Sequence, residues 1–185
     1  MRAAIAEAER ARGQTGDNPW VGCVIVDASG AIVARGHTQG PGEDHAEIVA
    51  MEDASAAGIT FADATLYSTL EPCAFHGRTP ACARAIVDRG VLRVVTGILD
   101  PNPRVDGAGL SILRDAGIEV VSEVCALEIT RQLAPWIFRF HPHEPTRRAH
   151  ELLQSGSPEV ARRVIADWYG IDPEEAAALV ARASS

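Results

Sequence analysis

ATLYSTLEPCAFHGRTPAC, residues 64–82, is the stretch on which the reading of this chain turns. It opens as a β-rich run (64–70) and passes through a loop. It ends in TPACARAIVDRG, a helical segment with Thr79 at the cap position and Pro80 as the first helical residue. Cys73 and Cys82 stand nine positions apart, with His76, Gly77, Arg78, Thr79 and Pro80 between them. Three chemistries compete for such a pair. A disulfide is geometrically allowed, but the chain reads as cytosolic, which argues against it. A redox pair calls for C-x-x-C, which is absent here. Metal ligation needs further ligands, and His45-Ala46-Glu47 offers them at the start of the preceding helical segment, HAEIVAMEDASAAG, which ends at Gly58.

One His and two Cys around Zn²⁺ leave the fourth tetrahedral position for water, the arrangement of a catalytic rather than a structural zinc. Cys82 in the first turn of its helix lies at the positive end of the helix dipole, where a thiolate is favoured. Water on such a metal is acidic near neutral pH. Glu47, two residues after His45, reaches the water and a substrate without being a ligand, and so serves as proton shuttle. The set H-x-E followed by P-C and a second Cys is the zinc-deaminase signature with a lengthened cysteine spacer. Each half occurs by chance; the whole set on predicted helix starts is specific.

The bulk numbers agree with a small enzyme. The 185 residues carry net charge −8 and are 46% hydrophobic, enough for a full core. There is no long basic run, so nucleic-acid binding is not expected. No apolar run approaches the roughly 20 residues of a membrane span, and MRAAIAEAERAR lacks a signal-peptide apolar segment. The expected location is cytoplasmic, with no membrane partner. Around the motif, residues 1–12 read as a helix and TGDNP (15–19) as a turn. WVGCVIV-DASG-AIVARG reads as a hairpin, 91–99 as a strand, AGLSILRDAG as a helix, IEVVSEV as a short strand, and ALEITRQLAPWIFRF as a helix. The order β-β-α-β-α-β-α-β predicts one α/β domain over 1–140, with helices on both faces of a sheet. HPHEP (141–145) breaks the pattern, and 141–185 reads as a helical appendage whose helices open at Ser157-Pro158 and Asp172-Pro173.

TGDNPWVGCVIV, GEDHAE, ATLYSTLEPCAFHGRTPAC, DPNPRVDGAG and AGIEV occur in order over about residues 1–140. With these pieces the chain resembles the deaminase half of the bifunctional riboflavin-biosynthesis deaminase/reductase, in the cytidine-deaminase-like superfamily. That resemblance implies a three-layer α/β/α sandwich on a five-stranded mixed sheet, usually in a homo-oligomer. It also implies hydrolytic deamination of a diaminohydroxypyrimidine carrying a phosphoribosylamino group. Residue by residue, it implies His45, Cys73 and Cys82 on zinc, and Glu47 as proton shuttle. Asn18 is implied near the pyrimidine, and Arg78, Thr79, Asp100 and Asn102 near the ribose phosphate. A phosphorylated substrate is suited by a local cation, which Arg78 supplies in an otherwise acidic chain. The bland readings are a solvated Arg78 and a plain turn at Asp100-Pro101-Asn102. His76 reads equally as a substrate contact or a loop-facing side chain, and Trp20 as pocket lining or core. Cys23 and Cys125 read as structural, and His141, His143 and His150 as linker residues rather than a second metal site.

This sequence departs from the family in three places. Ala74-Phe75 stand where Ser-His is usual, and Thr38 stands where a His is usual, with His37 one residue earlier. The departures bear on substrate rather than reaction, so deamination of another base, nucleoside or specialised metabolite is the alternative. A catalytically silent zinc-binding interaction module is the alternative of another class, against which Glu47 speaks. The family commonly continues into a reductase domain. Residues 141–185 take that place here, so no NADPH-dependent reduction is expected.

Overall fold

The computed structural model describes residues 1–75, 81–103 and 105–184. Five strands form one sheet: β1 (Gly22–Val26), β2 (Ile32–His37), β3 (Thr65–Leu70), β4 (Arg93–Ile98) and β5 (Glu119–Val121). Their spatial order is β2-β1-β3-β4-β5. β1 is antiparallel to both β2 and β3, whereas β3-β4 and β4-β5 are parallel. The first pair is joined by a tight turn in which Asp27 Oδ1 accepts from the amides of Ser29 and Ala31. The parallel pairs need crossovers, and helices supply them. This is the mixed five-stranded sheet the sequence predicts.

The helices of this part are α1 (Arg2–Ala11), α2 (Ala46–Ala56), α3 (Cys82–Asp88) and α4 (Ala108–Asp115). Alternation along β2 shows that α1 and α2 cover opposite faces. His37 reaches α1, its Nδ1 lying 2.9 Å from Glu7 Oε1. The neighbouring Gly36 faces α2: a Cβ there would lie 2.3 Å from the Ala46 carbonyl oxygen. Only glycine permits so close an approach of helix to strand, and it sets the height of the α2 N-terminus over the sheet. Ile25, Met51, Leu66 and Ile86 are among the fully buried side chains, each contributing roughly 1.5–3 kcal/mol by removal from water.

α3 begins two residues later than the sequence suggests. Ala81 occupies its cap position with extended backbone (ψ 122°), and Cys82 is the first helical residue. The expected cap Thr79 and helix start Pro80 lie outside the described residues.

Close packing divides the chain into two compact units, Met1–Ala126 and Leu127–Ser185. The helix α5 (Ala126–Phe140) thereby falls almost wholly in the second unit, with α6 (His143–Ser155), α7 (Pro158–Tyr169) and α8 (Pro173–Ala183). Phe138 meets Tyr169 edge-on at 5.4 Å, and Arg148 lies 4.1 Å over the Trp168 ring. α7 and α8 open as expected. Ser157 Oγ accepts from the Val160 amide, and Asp172 Oδ1 accepts from those of Glu174 and Glu175. The HPHEP stretch does not remain outside the helices, since α6 starts within it. Pro145 falls in the first turn of α6, where a helix has no internal partner for an N–H, so its missing donor costs nothing there.

Candidate metal centre and catalytic glutamate

The strand ends meet at one edge of the sheet. Because β1 runs against β3, the turn before β1 lies beside the C-terminal end of β3, and the Gly22 amide donates to Thr69 Oγ1 at 3.1 Å. Three segments converge at this edge: the N-terminus of α2, the loop after β3 and the N-terminus of α3. They bring His45, Cys73 and Cys82 together, with one ligand atom from each lying within 4.8 Å of the others. His45 Nδ1 is 3.6 Å from Cys73 Sγ and 3.3 Å from Cys82 Sγ. Zinc bonded to sulfur at about 2.3 Å and to nitrogen at about 2.0 Å in a tetrahedron sets such atoms roughly 3.5–3.8 Å apart. The donor set and its spacing therefore fit zinc. Among the described residues no other group of His, Cys, Asp and Glu is so arranged, and the histidines of the 141–150 region form none.

The local chain explains this geometry. His45 is the residue before α2, with extended backbone (φ −76°, ψ 161°), and its side chain makes no capping bond. The ring is turned to the thiols instead. Cys73 accepts from the Cys82 amide at 3.2 Å, so the first turn of α3 donates to the loop thiol. Cys82 donates to Cys73 as well, and together with His45 this lowers the Cys73 thiol to about 4. The Cys82 thiol is pushed up, chiefly by that same shared proton and by burial.

Glu47 lies in the first turn of α2 and is 3% exposed. Ser68 Oγ on β3 donates to its Oε1 at 3.0 Å. Burial pushes the Glu47 carboxyl above the usual carboxylate range, with Cys73 adding to the rise; His45 and the Ser68 hydroxyl oppose it. A carboxyl whose proton affinity is raised in this way is suited to hold a proton that an ordinary surface carboxylate would release. Ser68 went unremarked in the sequence because a serine in an apolar strand carries no signal of its own. Its β-sheet partners, Cys23 and Thr96, are buried in the same row.

The substrate-contact expectations divide. Asp100 and Asn102 follow β4 at the same edge, where the Asn102 amide donates to Asp100 Oδ1 at 2.9 Å. Burial raises the Asp100 carboxyl to about 7, and nearby Glu71 and Cys73 add to the rise. Asn18 sits in the turn that leads to β1; its backbone amide donates to the Thr15 carbonyl, and the Thr15 hydroxyl donates to the Asn18 carbonyl. His76, Arg78 and Thr79 lie outside the described residues. Thr38 is buried, and its hydroxyl accepts from the Val21 amide at 3.2 Å. It ties the residue before β1 to the end of β2. Phe75, by contrast, is 41% exposed.

Residues 1–98 match the cytidine and deoxycytidylate deaminase zinc-binding region. The chain belongs to this family. As a member of that zinc-binding family it is similar to the riboflavin biosynthesis protein RibD of Aquifex aeolicus, with 41% identity over 155 residues. These make up 82% of this chain and 42% of that protein. It is also similar to RibD of Escherichia coli, with 50% identity over 120 residues, 65% of this chain and 32% of that protein. Among solved structures, it resembles a Thermotoga maritima diaminohydroxyphosphoribosylaminopyrimidine deaminase/5-amino-6-(5-phosphoribosylamino)uracil reductase. That structure is 40% identical with TM-score 0.70, over 75% of this chain and 39% of that one. The chain thus spans less than half the length of these relatives.

Proposed function

We propose that the protein is a zinc-dependent hydrolytic deaminase of an amino-pyrimidine, and that its substrate is a phosphoribosylaminopyrimidine of riboflavin biosynthesis. The observation that carries the reading is the buried Glu47 carboxyl, two residues from His45 and held by Ser68, at the edge where Cys73 and Cys82 meet. The substrate class is supported by the activity named for the Thermotoga relative. His45, Cys73 and Cys82 hold the zinc. When bound, the metal supplies Lewis-acid chemistry that makes a water acidic near neutral pH. Glu47 takes a proton from the attacking water and delivers it to a ring nitrogen, as oxygen bonds to the amino-bearing carbon. It then passes a proton to the departing amine as the C–N bond breaks, so that water and amine become carbonyl and ammonia. Asn18, Asp100 and Asn102 flank this edge as substrate contacts, and His76, Arg78 and Thr79, which lie between the two cysteines in the sequence, complete the set.

The catalytic domain in this reading spans 1–140 with 141–185 as its appendage, acting as a cytoplasmic homo-oligomer on a small phosphorylated molecule and not on nucleic acid. No helix among the described residues is long and apolar enough to cross a membrane. A deaminase of another base or metabolite is the second reading. It is favoured by the exposed Phe75 and by Thr38, which is buried and whose hydroxyl accepts from the Val21 amide. Ammonia release separates the two: turnover of the phosphoribosylaminopyrimidine but not of cytidine or guanine supports the first, and the reverse pattern overturns it. Glu47→Gln is expected to retain zinc and lower kcat about 10³-fold; a variant with ordinary turnover would sink the shuttle role.

A further inference from the structure

Glu71 is a charged residue of the cysteine stretch that the chemistry above does not use. It follows β3 directly, precedes Pro72-Cys73, and is 2% exposed. Four backbone amides converge on its carboxylate. Gly109 and Leu110 donate to Oε1 at 2.8 and 3.3 Å, and Asp100 and Gly107 donate to Oε2 at 3.2 and 2.9 Å. Three of these amides belong to the start of α4, whose cap residue Gly107 has no side chain to serve them. The fourth belongs to Asp100. One carboxylate thereby joins the chain two residues before Cys73 to both ends of the 100–107 segment.

A second observation, independent of these bonds, tightens the same joint. Gly109 lies so close to the chain after Glu71 that a Cβ there would sit 1.9 Å from the Pro72 carbonyl oxygen. Backbone, unlike a flexible side chain, cannot move aside, so the α4 N-terminus is seated directly on the residue that leads into Cys73.

We propose that Glu71 is a positioning residue that locks the Asp100–Asn102 segment to the cysteine loop, so that substrate contacts and metal ligands keep a fixed mutual geometry. The chemistry requires a carboxylate. Ionised, it is acceptor-only, with two oxygens and about four lone-pair sites, matching four donors. A glutamine of the same size turns an NH₂ toward two of those donors and leaves them unserved. The activity part of this proposal rests on the deaminase reading. Asp100 and Asn102 act there on the part of the substrate remote from the reacting carbon, so loosening them weakens ground-state and transition-state binding alike, which appears in KM more than in kcat.

The test uses the zinc-loaded full chain. Glu71→Gln is expected to fold, to hold zinc at the wild-type stoichiometry and to raise KM about tenfold, with kcat within about threefold. Amide hydrogen exchange over residues 99–110 should rise about tenfold while that over 46–56 stays as in wild type. Gly109→Ala leaves the carboxylate intact and should give the same pattern from the other side of the joint; it decides the matter alone if Glu71→Gln does not fold. A folded variant with wild-type exchange over 99–110 overturns the proposal, as does raised exchange with unchanged KM, or an activity loss that tracks zinc loss. If wild-type protein releases no ammonia from the phosphoribosylaminopyrimidine, the substrate assignment fails, and the exchange measurement still decides the role of Glu71.

Discussion

Two helix starts in this chain use the same position for opposite ends. At α8 the cap residue is Asp172, whose Oδ1 accepts from two amides of its own first turn. At α2 the cap residue is His45, which accepts from none and turns its ring toward Cys73 and Cys82. A capping side chain satisfies amides that have no partner within the helix. α2 forgoes that stabilisation at its cap residue, and the side chain there is available to a metal. The α4 start shows a third solution, in which Gly107 offers nothing and Glu71 serves the amides from another strand. At the metal edge, then, helix starts are built for geometry; at α7 and α8 they are built for helix stability.

The largest effect that would test this contrast is at His45. His45→Asn restores a good cap and removes a ligand. Zinc binding, measured by metal content after dialysis, and ammonia release should both fall to background. The metal-free variant, however, should melt above the metal-free wild type by an amount corresponding to about 1 kcal/mol. A variant that still binds one zinc per chain would break the assignment.

Next comes Asp100, whose burial makes its ionisation costly in the folded chain. Its folded value, about 7, lies above the ordinary carboxylate range. Its contribution is therefore fully present at pH below 4 and is lost as pH rises through 7. Asp100→Asn still accepts from the Asn102 amide and has no charge to bury. Relative to wild type it should be stabilised at pH 8 and not at pH 4. The gap is bounded by about 4 kcal/mol, the cost of ionising a carboxyl held at about 7 instead of its ordinary value, and is smaller with zinc bound, since a cation beside Cys73 favours the carboxylate. Parallel melting curves across this range would refute the burial argument.

The smallest expected effect lies at the conventional cap. Asp172→Ala should lower stability by about 1 kcal/mol in thermal unfolding, with kcat and KM at 25 °C unchanged. A change in KM there would mean that α8 does more than cap itself.

Much of the architecture was legible in the chain because its signals are local. The hairpin shows in DASG between two apolar runs, the last helices in Ser157-Pro158 and Asp172-Pro173, and the parallel part of the sheet in strands separated by helical segments. His45, Glu47, Cys73 and Cys82 were legible as a set because metal chemistry restricts residue type and spacing so sharply. α3 starts at Cys82 with Ala81 as its cap, and an alanine carries no capping signal that a sequence reading could use. The start of α6 was missed because Pro145 reads as a breaker until it is known to sit in a first turn, where a proline is harmless.

By itself, then, the sequence determined the order of elements, the zinc-binding deaminase family and the residues capable of its chemistry, since each depends on side-chain type and short-range spacing. Tertiary structure alone decided what Ser68, Thr38 and Glu71 do. Their partners are the Glu47 carboxylate 21 residues away, the Val21 amide 17 away, and amides 29 to 39 residues further along the chain. A backbone N–H is present at nearly every residue and so leaves no mark in sequence. Only the packing of α4 against the end of β3 brings four of them to one buried carboxylate.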